Sequence, residues 1–222
     1  PRRPFQPRIL AIPRDSPFGD LPGEVDVAFR AALDGMDREL GFVVDDLSLG
    51  SLFRTDPNQD WFTWTASELV TWVGRDVINE GLDLFHPTTR TFLEAGMLVS
   101  IDEYLAARKR CLRYEQALDD LLEDGSFIAT PTVASSGWTP EGTMPGEPGD
   151  GLPPDVYNTG LASLTGHPAV SIPAGRLPNG LPFGLQVIGP KFGEEELLRL
   201  AELLEAARSW PLVAPGYETF DV

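Results

Sequence analysis

The stretch "LTGHPAVSIPAGRLPNGLPFGLQVIG", Leu164 to Gly189, decides the reading of the fold. It holds two short apolar runs, "AVSIPAG" and "GLQVIG", each closed by Gly. The turn "RLPNGLPF" between them is studded with Pro and Gly. Short apolar runs bounded by such breakers read as strands, and the residues between them as a turn. No nucleophile–base pair and no metal-ligand cluster falls inside it. The stretch specifies backbone and packing and shows no chemistry of its own.

Outward from it, "GEEELLRLAELLEAA" places acids in a first turn and an apolar stripe at Leu197, Leu200, Ala201 and Leu204, a helix covering the two strands. Upstream, "FIATPT" (Phe127–Thr132) reads as a strand stopped by Pro. "SIDE" (Ser100–Glu103) is a capping box, so a helix starts near Ile101, carries Cys111, Tyr114, Leu118 and Leu121 on one face, and ends at Asp124-Gly125. His86-Pro87 opens a shorter helix. Trp61, Trp64, Thr65, Leu69, Trp72, Val73 and Val77 fall on one helical stripe, read as core or interface.

Nearer the start, "RILAIPR" (Arg8–Arg14) and "FVVDDL" (Phe42–Leu47) read as strands. Between them lies a helix over Glu24–Leu40 with Val25, Phe29, Leu33, Met36 and Leu40 on its apolar face and Gly41 as its left-handed stop. Strand, helix, strand with short joints is a crossover unit, and the alternation persists along the chain. The class is α/β, a sheet covered by helices. Residues 136–155 show no period of either kind and form a long Pro/Gly-rich loop.

The 222 residues fit one domain, 1–222, at 42% hydrophobic and 23% charged. A formal net charge of -17, with Lys109 and Lys191 as the only lysines, argues against nucleic-acid binding, which rests on neutralising phosphates. No apolar run approaches the roughly 18 residues of a membrane span. A single cysteine, Cys111, excludes an intramolecular disulfide and fits a reducing compartment, hence a cytoplasmic protein. Its place on a helix face marks it as a structural thiol.

From the residues alone no active site assembles. The two histidines, His86 and His167, are far apart, and no His-x-x-x-His or Cys-x-x-Cys spacing exists, so a protein-built zinc site is not expected. His167, between Gly166 and Pro168, reads as structural. Asp45-Asp46 and Asp119-Asp120 read as solvated carboxylates at element edges. "ASSGW" (Ala134–Trp138) has the composition of a turn.

The order of segments resembles the amidase signature family. Its members read TPT, then N-x-T-G-x-P-A-x-S-x-P-x-G, then G-L-P-x-G-x-Q-x-x-G and a final helix. Here "FIATPT" and "LTGHPAVSIPAG…GLPFGLQVIGPKFGEEELLRLAELLE" match that order, and "RILAIP", "LGFVVDDL" and "SIDEYLAARKR" extend the likeness over almost the whole chain. The resemblance implies the C-terminal half of that fold, a mixed, largely parallel sheet covered by helices. It implies a hydrolase of carboxamide C–N bonds with a serine nucleophile, a second serine and a lysine, and no metal or cofactor.

Those catalytic residues belong to the family's N-terminal half. This sequence has no Gly-Gly-Ser-Ser-Gly-Gly-like run, so the chain is expected to need that half as a partner. Ser163 stands where members read Asn. A small-molecule amide is the expected substrate, bordered by Trp138, Tyr157, Asn158 and Thr159, and a homodimer is compatible with the pattern. Two other readings stay open: a component that liberates ammonia from glutamine for tRNA amidation, and a non-catalytic homologous module that binds a partner.

Overall fold

A computed structural model describes residues 5, 7–12, 23–48, 53, 55–135, 137, 154–208 and 210; side chains at 88 and 154–157 fall outside that description. Among the described residues, five strands form one sheet: β1 (Arg8–Ala11), β2 (Val43–Asp46), β3 (Phe127–Pro131), β4 (Ala169–Arg176) and β5 (Pro182–Ile188), in the order β2-β1-β3-β5-β4. β1 pairs in parallel with β2 and β3, whereas β5 runs antiparallel to both β3 and β4. Of these strands β5 alone opposes the common direction, and the sheet is mixed and largely parallel, as the resemblance implies.

Strand alternation divides the core between the two faces. Ile9, Ala11, Phe127, Ala129 and Val187 meet α1 (Gly23–Leu40) and α7 (Glu194–Ala207). Val25, Phe29, Leu33 and Met36 of α1 are all buried there. The helix stops at Gly41, whose φ of 67° lets its N–H reach Asp37 O at 2.9 Å. On the other face, Leu10, Ile128 and Ile188 meet α5 (Ile101–Leu122) and α6 (Pro154–Thr165). α5 opens with the expected reciprocal capping box between Ser100 and Glu103. It buries Cys111, Tyr114, Leu118 and Leu122, with Leu121 only partly covered. Burial, reinforced by the Asp60 charge, pushes the Cys111 thiol up to about 11.

Three further helices, α2 (Pro57–Val73), α3 (Arg75–Gly81) and α4 (Pro87–Leu98), form a lobe with its own small core of Val70, Ile78 and Leu93. Here the structure corrects two sequence readings. The tryptophan stripe does not run as one helix, because Gly74 ends α2 at φ 93°. Trp72 is 84% exposed, and the buried face of α2 is instead Asn58, Asp60, Ala66 and Val70. The loop read over 136–155 gives way to α6 at Pro154, and the stretch from Tyr157 to Ser163 is helical within it. Ser163 Oγ donates to Thr159 O at 3.1 Å, satisfying the hydroxyl inside that helix.

The buried Asp60, 3% exposed, ties α2 to α5. Arg110 Nε donates to both of its oxygens at 3.0 and 2.9 Å, and Arg110 Nη2 to Oδ1 at 2.6 Å. Tyr114 Oη donates to Asp60 Oδ2 at 2.5 Å and lies 2.6 Å from Thr55 Oγ1. A buried carboxylate is tolerable only with such a complete set of donors.

Asp60→Ala should strand Arg110 and the Tyr114 hydroxyl and lower stability by about 3 kcal/mol, read from a denaturant midpoint. Asp60→Asn, which keeps the shape and one acceptor, should cost less; equal stability of the parent and Asp60→Ala would contradict the network's role. Cys111 should resist thiol labelling in native protein and react only after denaturation, as followed by mass spectrometry.

Candidate functional site

β3 is buried along its whole length, and the chain leaves the sheet at its C-terminal end through Thr132. That end gathers polar groups from three strands. Gln186 of β5 is buried; its Nε2 donates to Thr130 Oγ1 at 3.0 Å and to Asn158 O of α6 at 2.7 Å. Two residue pairs further along, Thr132 N donates to Gly184 O at 2.8 Å, and Thr132 Oγ1 and Ser171 Oγ lie 2.6 Å apart. A Cβ at position 184 would sit 3.0 Å from Thr132 Oγ1 and 3.2 Å from Ser171 Oγ, so a side chain there requires the hydroxyls to give by a few tenths of an ångström.

Beside this pair lies a cavity of about 480 Å³, lined by Thr132, Ser135, Ser171, Leu177, Leu181 and Phe183 among others. Its chemistry is hydroxyl groups set in apolar walls, with no charged side chain in the described lining. Such a surface suits an uncharged polar group attached to an apolar one. Ser135 is committed to its turn: its Oγ donates to Gly137 O at 3.0 Å and accepts from Gly137 N at 3.2 Å. Among the described residues no base stands against it, which agrees with reading "ASSGW" as a turn.

Of the four substrate-binding residues expected from the resemblance, Trp138 lies outside the described residues. Tyr157 is on the first turns of α6, with its side chain likewise outside the description. Asn158 is buried, held to the sheet through its carbonyl by Gln186, and its Nδ2 makes no hydrogen bond among the described residues. Thr159 follows it, half-buried. Thr130, Thr132, Ser171 and Gln186 are all fixed positions of the motif that carries the resemblance, but the motif assigns them no role; the register that brings them together is a long-range fact of the β3–β5–β4 ladder.

His167 sits at the other end of the sheet. Pro168 O accepts from Gly189 N, and Ala169 pairs through Ile188 with Ile128, four residues or about 13 Å before Thr132. The ring is buried: Nδ1 lies 3.0 Å from Thr165 Oγ1, and Nε2 lies 3.3 Å from Asp119 Oδ1 without hydrogen-bond alignment. Lys191, bonded to Glu115, stands 3.8 Å from Asp119. Burial, aided by Lys191, holds the His167 pKa below its ordinary 6.5 against the pull of Asp119 and Glu115. Asp119 is thus a partner of two basic side chains rather than a merely solvated edge residue. Asp45 and Asp46 pair with Arg8 and Arg30. Among the described residues no group of His, Cys, Asp and Glu could hold a metal, and no helix is long and apolar enough to cross a membrane.

Because the folded state disfavours protonated His167, the unfolded chain takes up more protons as pH falls through 6.5. The group's contribution is therefore intact at neutral pH and is lost on acidification from about that value downward. Thermal midpoints of the parent should fall below pH 6.5 more steeply than those of His167→Gln; parallel profiles would contradict the buried neutral ring.

Comparison with known proteins places this geometry. The family model described as Amidase matches residues 10–198. Among curated proteins, the glutamyl-tRNA(Gln) amidotransferase A chain of Haloarcula marismortui is 35% identical over 96 residues, covering 40% of this chain and 21% of that protein. The protein of the same name from Methylocella silvestris is 36% identical over 117 residues, 50% of this chain and 22% of its own length. Among solved structures, a bacterial aryl acylamidase of the amidase signature family superposes with a TM-score of 0.73 at 20% identity, covering 92% of this chain and 44% of that one. The 6-aminohexanoate cyclic dimer hydrolase in complex with substrate gives 0.68 at 21% identity, covering 94% and 46%. The aligned part of this chain spans about a fifth of these curated relatives and less than half of these solved structures.

Proposed function

This chain belongs to the amidase family, and from that premise we propose that it forms the C-terminal half of a carboxamide C–N hydrolase, the scaffold and one wall of its active site. The observation that carries this reading is the uncharged cavity at the end of β3, with hydroxyls and apolar walls but no lysine or general base in its described lining. Lys191 is bonded to Glu115 at the far end of the sheet, and Lys109 is exposed on α5. The serine nucleophile, its partner serine and the lysine that the family resemblance implies must then be contributed by the N-terminal half.

In that mechanism the serine attacks the amide carbon, the amine leaves, and water releases the acyl group. Hydrogen-bond donors aimed at the developing oxyanion supply much of the acceleration. The part of this chain is binding and positioning. The Thr132–Ser171 hydroxyls and the walls at Leu177, Leu181 and Phe183 hold the neutral substrate. Gln186 bonds the backbone of Asn158 near the start of α6, and Tyr157, Asn158 and Thr159 border the entrance in this reading. β4 supports the two-half reading, since its outer edge has no pairing strand among the described residues, and an unpaired edge is a template for another strand.

A second reading, the glutamine-dependent component of a tRNA amidotransferase, is favoured by the curated relatives named above. Against it stands the same cavity, whose described lining offers no charge to pair with the ammonium or carboxylate of a free amino acid.

The purified chain should hydrolyse no aryl amide alone, and co-expression with an amidase N-terminal half bearing the lysine and serines should restore turnover. Activity of the isolated chain, abolished by Ser135→Ala with Ser136→Ala, would overturn the reading. A restored enzyme that prefers glutamine over aryl amides would select the second one.

A further inference from the structure

α5 carries two apolar stripes, and only one of them is used. Cys111, Tyr114, Leu118 and Leu122 face the sheet. Ile101, Leu105 and Leu112, spaced four and seven residues apart, form a separate stripe and are 69%, 56% and 64% exposed. Leu98, at the end of α4 and three residues before Ile101, is itself exposed. Arg108 belongs to the same row by spacing, but its guanidinium lies 3.7 Å over the Trp64 ring, which draws it aside from the leucines. A row of exposed large aliphatic side chains on one helix marks an interaction surface more often than chance.

The charges beside the stripe identify its occupant. Asp102, Lys109 and Arg113, seven and four residues apart, share one flank of α5. None of the three makes an ion pair among the described residues. When two copies of a helix pack antiparallel about a two-fold axis, each flank meets itself in reverse order. With the axis midway between Leu105 and Arg108, Ile101 meets Leu112 of the second copy. On the flank, Asp102 then falls in height between Lys109 and Arg113 of that copy. The same contacts repeat at the other end of the seam. An acid followed by two bases at these spacings is complementary to its own reversal, whereas a parallel pairing would set Lys109 against Lys109.

We propose that the exposed face of α5 is a self-association surface, on which two copies of this chain pair as an antiparallel helix dimer. The strong net negative charge of the chain opposes association at long range, but it is screened beyond about 8 Å at physiological salt. At the seam itself the local charges are mixed. The stripe shares no residue with the cavity at the end of β3, so pairing leaves that cavity open.

Sedimentation velocity over a concentration series of the full chain should show a reversible dimer. Leu105→Gln with Leu112→Gln, both at exposed positions, should leave far-UV circular dichroism unchanged and abolish the dimer. Asp102→Lys alone should weaken it at least about ten-fold, since it places three cations together on each flank. Asp102→Lys combined with Lys109→Glu and Arg113→Glu should restore it, because the inverted flank is again self-complementary. A monomeric parent, a dimer indifferent to these changes, or no recovery in the inverted variant would each overturn the proposal. So would an assembled two-half enzyme that contains one copy of each half and protects residues 101–112 from hydrogen exchange, which would assign the stripe to the other half.

Discussion

A side-chain amide buried away from water must find partners for its donors or cost roughly 1–3 kcal/mol, and Gln186 finds them in two different elements. One bond goes to Thr130 on the neighbouring strand and one to the backbone of Asn158 on α6. These two bonds fix how α6 lies across the sheet, because a helix packed only by leucines can slide at little expense whereas a directed hydrogen bond cannot. The candidate site depends on that fixation. Ser171 pairs with Gln186 itself, Thr132 and Gly184 lie two residues further along the β3–β5 ladder, and Asn158 of α6 is bonded to Gln186 at that end. A shift of one residue in the β3–β5 ladder would turn Gln186 to the opposite, apolar face and remove the hydroxyl pair.

The helical lobe rests on a different kind of constraint. Asp60 introduces a charge beside the apolar cluster that holds Phe53, Cys111 and Tyr114, and it is tolerated because Arg110 and Tyr114 surround it with donors. The arrangement joins α2 to α5 in a defined register, which aliphatic contacts alone would leave adjustable. It also governs Cys111, one residue from Arg110, whose thiol feels burial and the Asp60 charge together and stays protonated.

Local chemistry is legible in the sequence and long-range chemistry is not. Strands ended by Pro, the Ser100–Glu103 capping box and the Gly41 stop are encoded within a few residues, and each stands where the sequence places it. The start of α6 escapes such reading because it follows a glycine-rich run and two prolines, which look like loop until Leu161 and Leu164 are seen to pack on the sheet. Trp72 misleads for a related reason. Helical spacing assigns it to the stripe with Trp61 and Trp64, but it is the helix's closing turn at Gly74 that decides which residues have anything to pack against. The sequence neighbours of His167 mark it as structural, whereas its contacts with Asp119 and the nearby Lys191 join elements that no local pattern connects.

The distribution of charge between the two ends of the sheet bears on what chemistry each can support. At the His167 end, two carboxylates, Glu115 and Asp119, and one ammonium, Lys191, gather around one buried ring. At the Thr132 end the described side chains contribute no formal charge, only dipoles. An amide substrate is neutral, and charge appears on its carbonyl oxygen only as the nucleophile attacks. A wall without fixed charge neither attracts competing ions into the ground state nor opposes the negative charge that develops later. On the proposed two-half reading, the catalytic half would set the field at the reacting atoms by its own donors, and this chain would determine which neutral groups fit beside them.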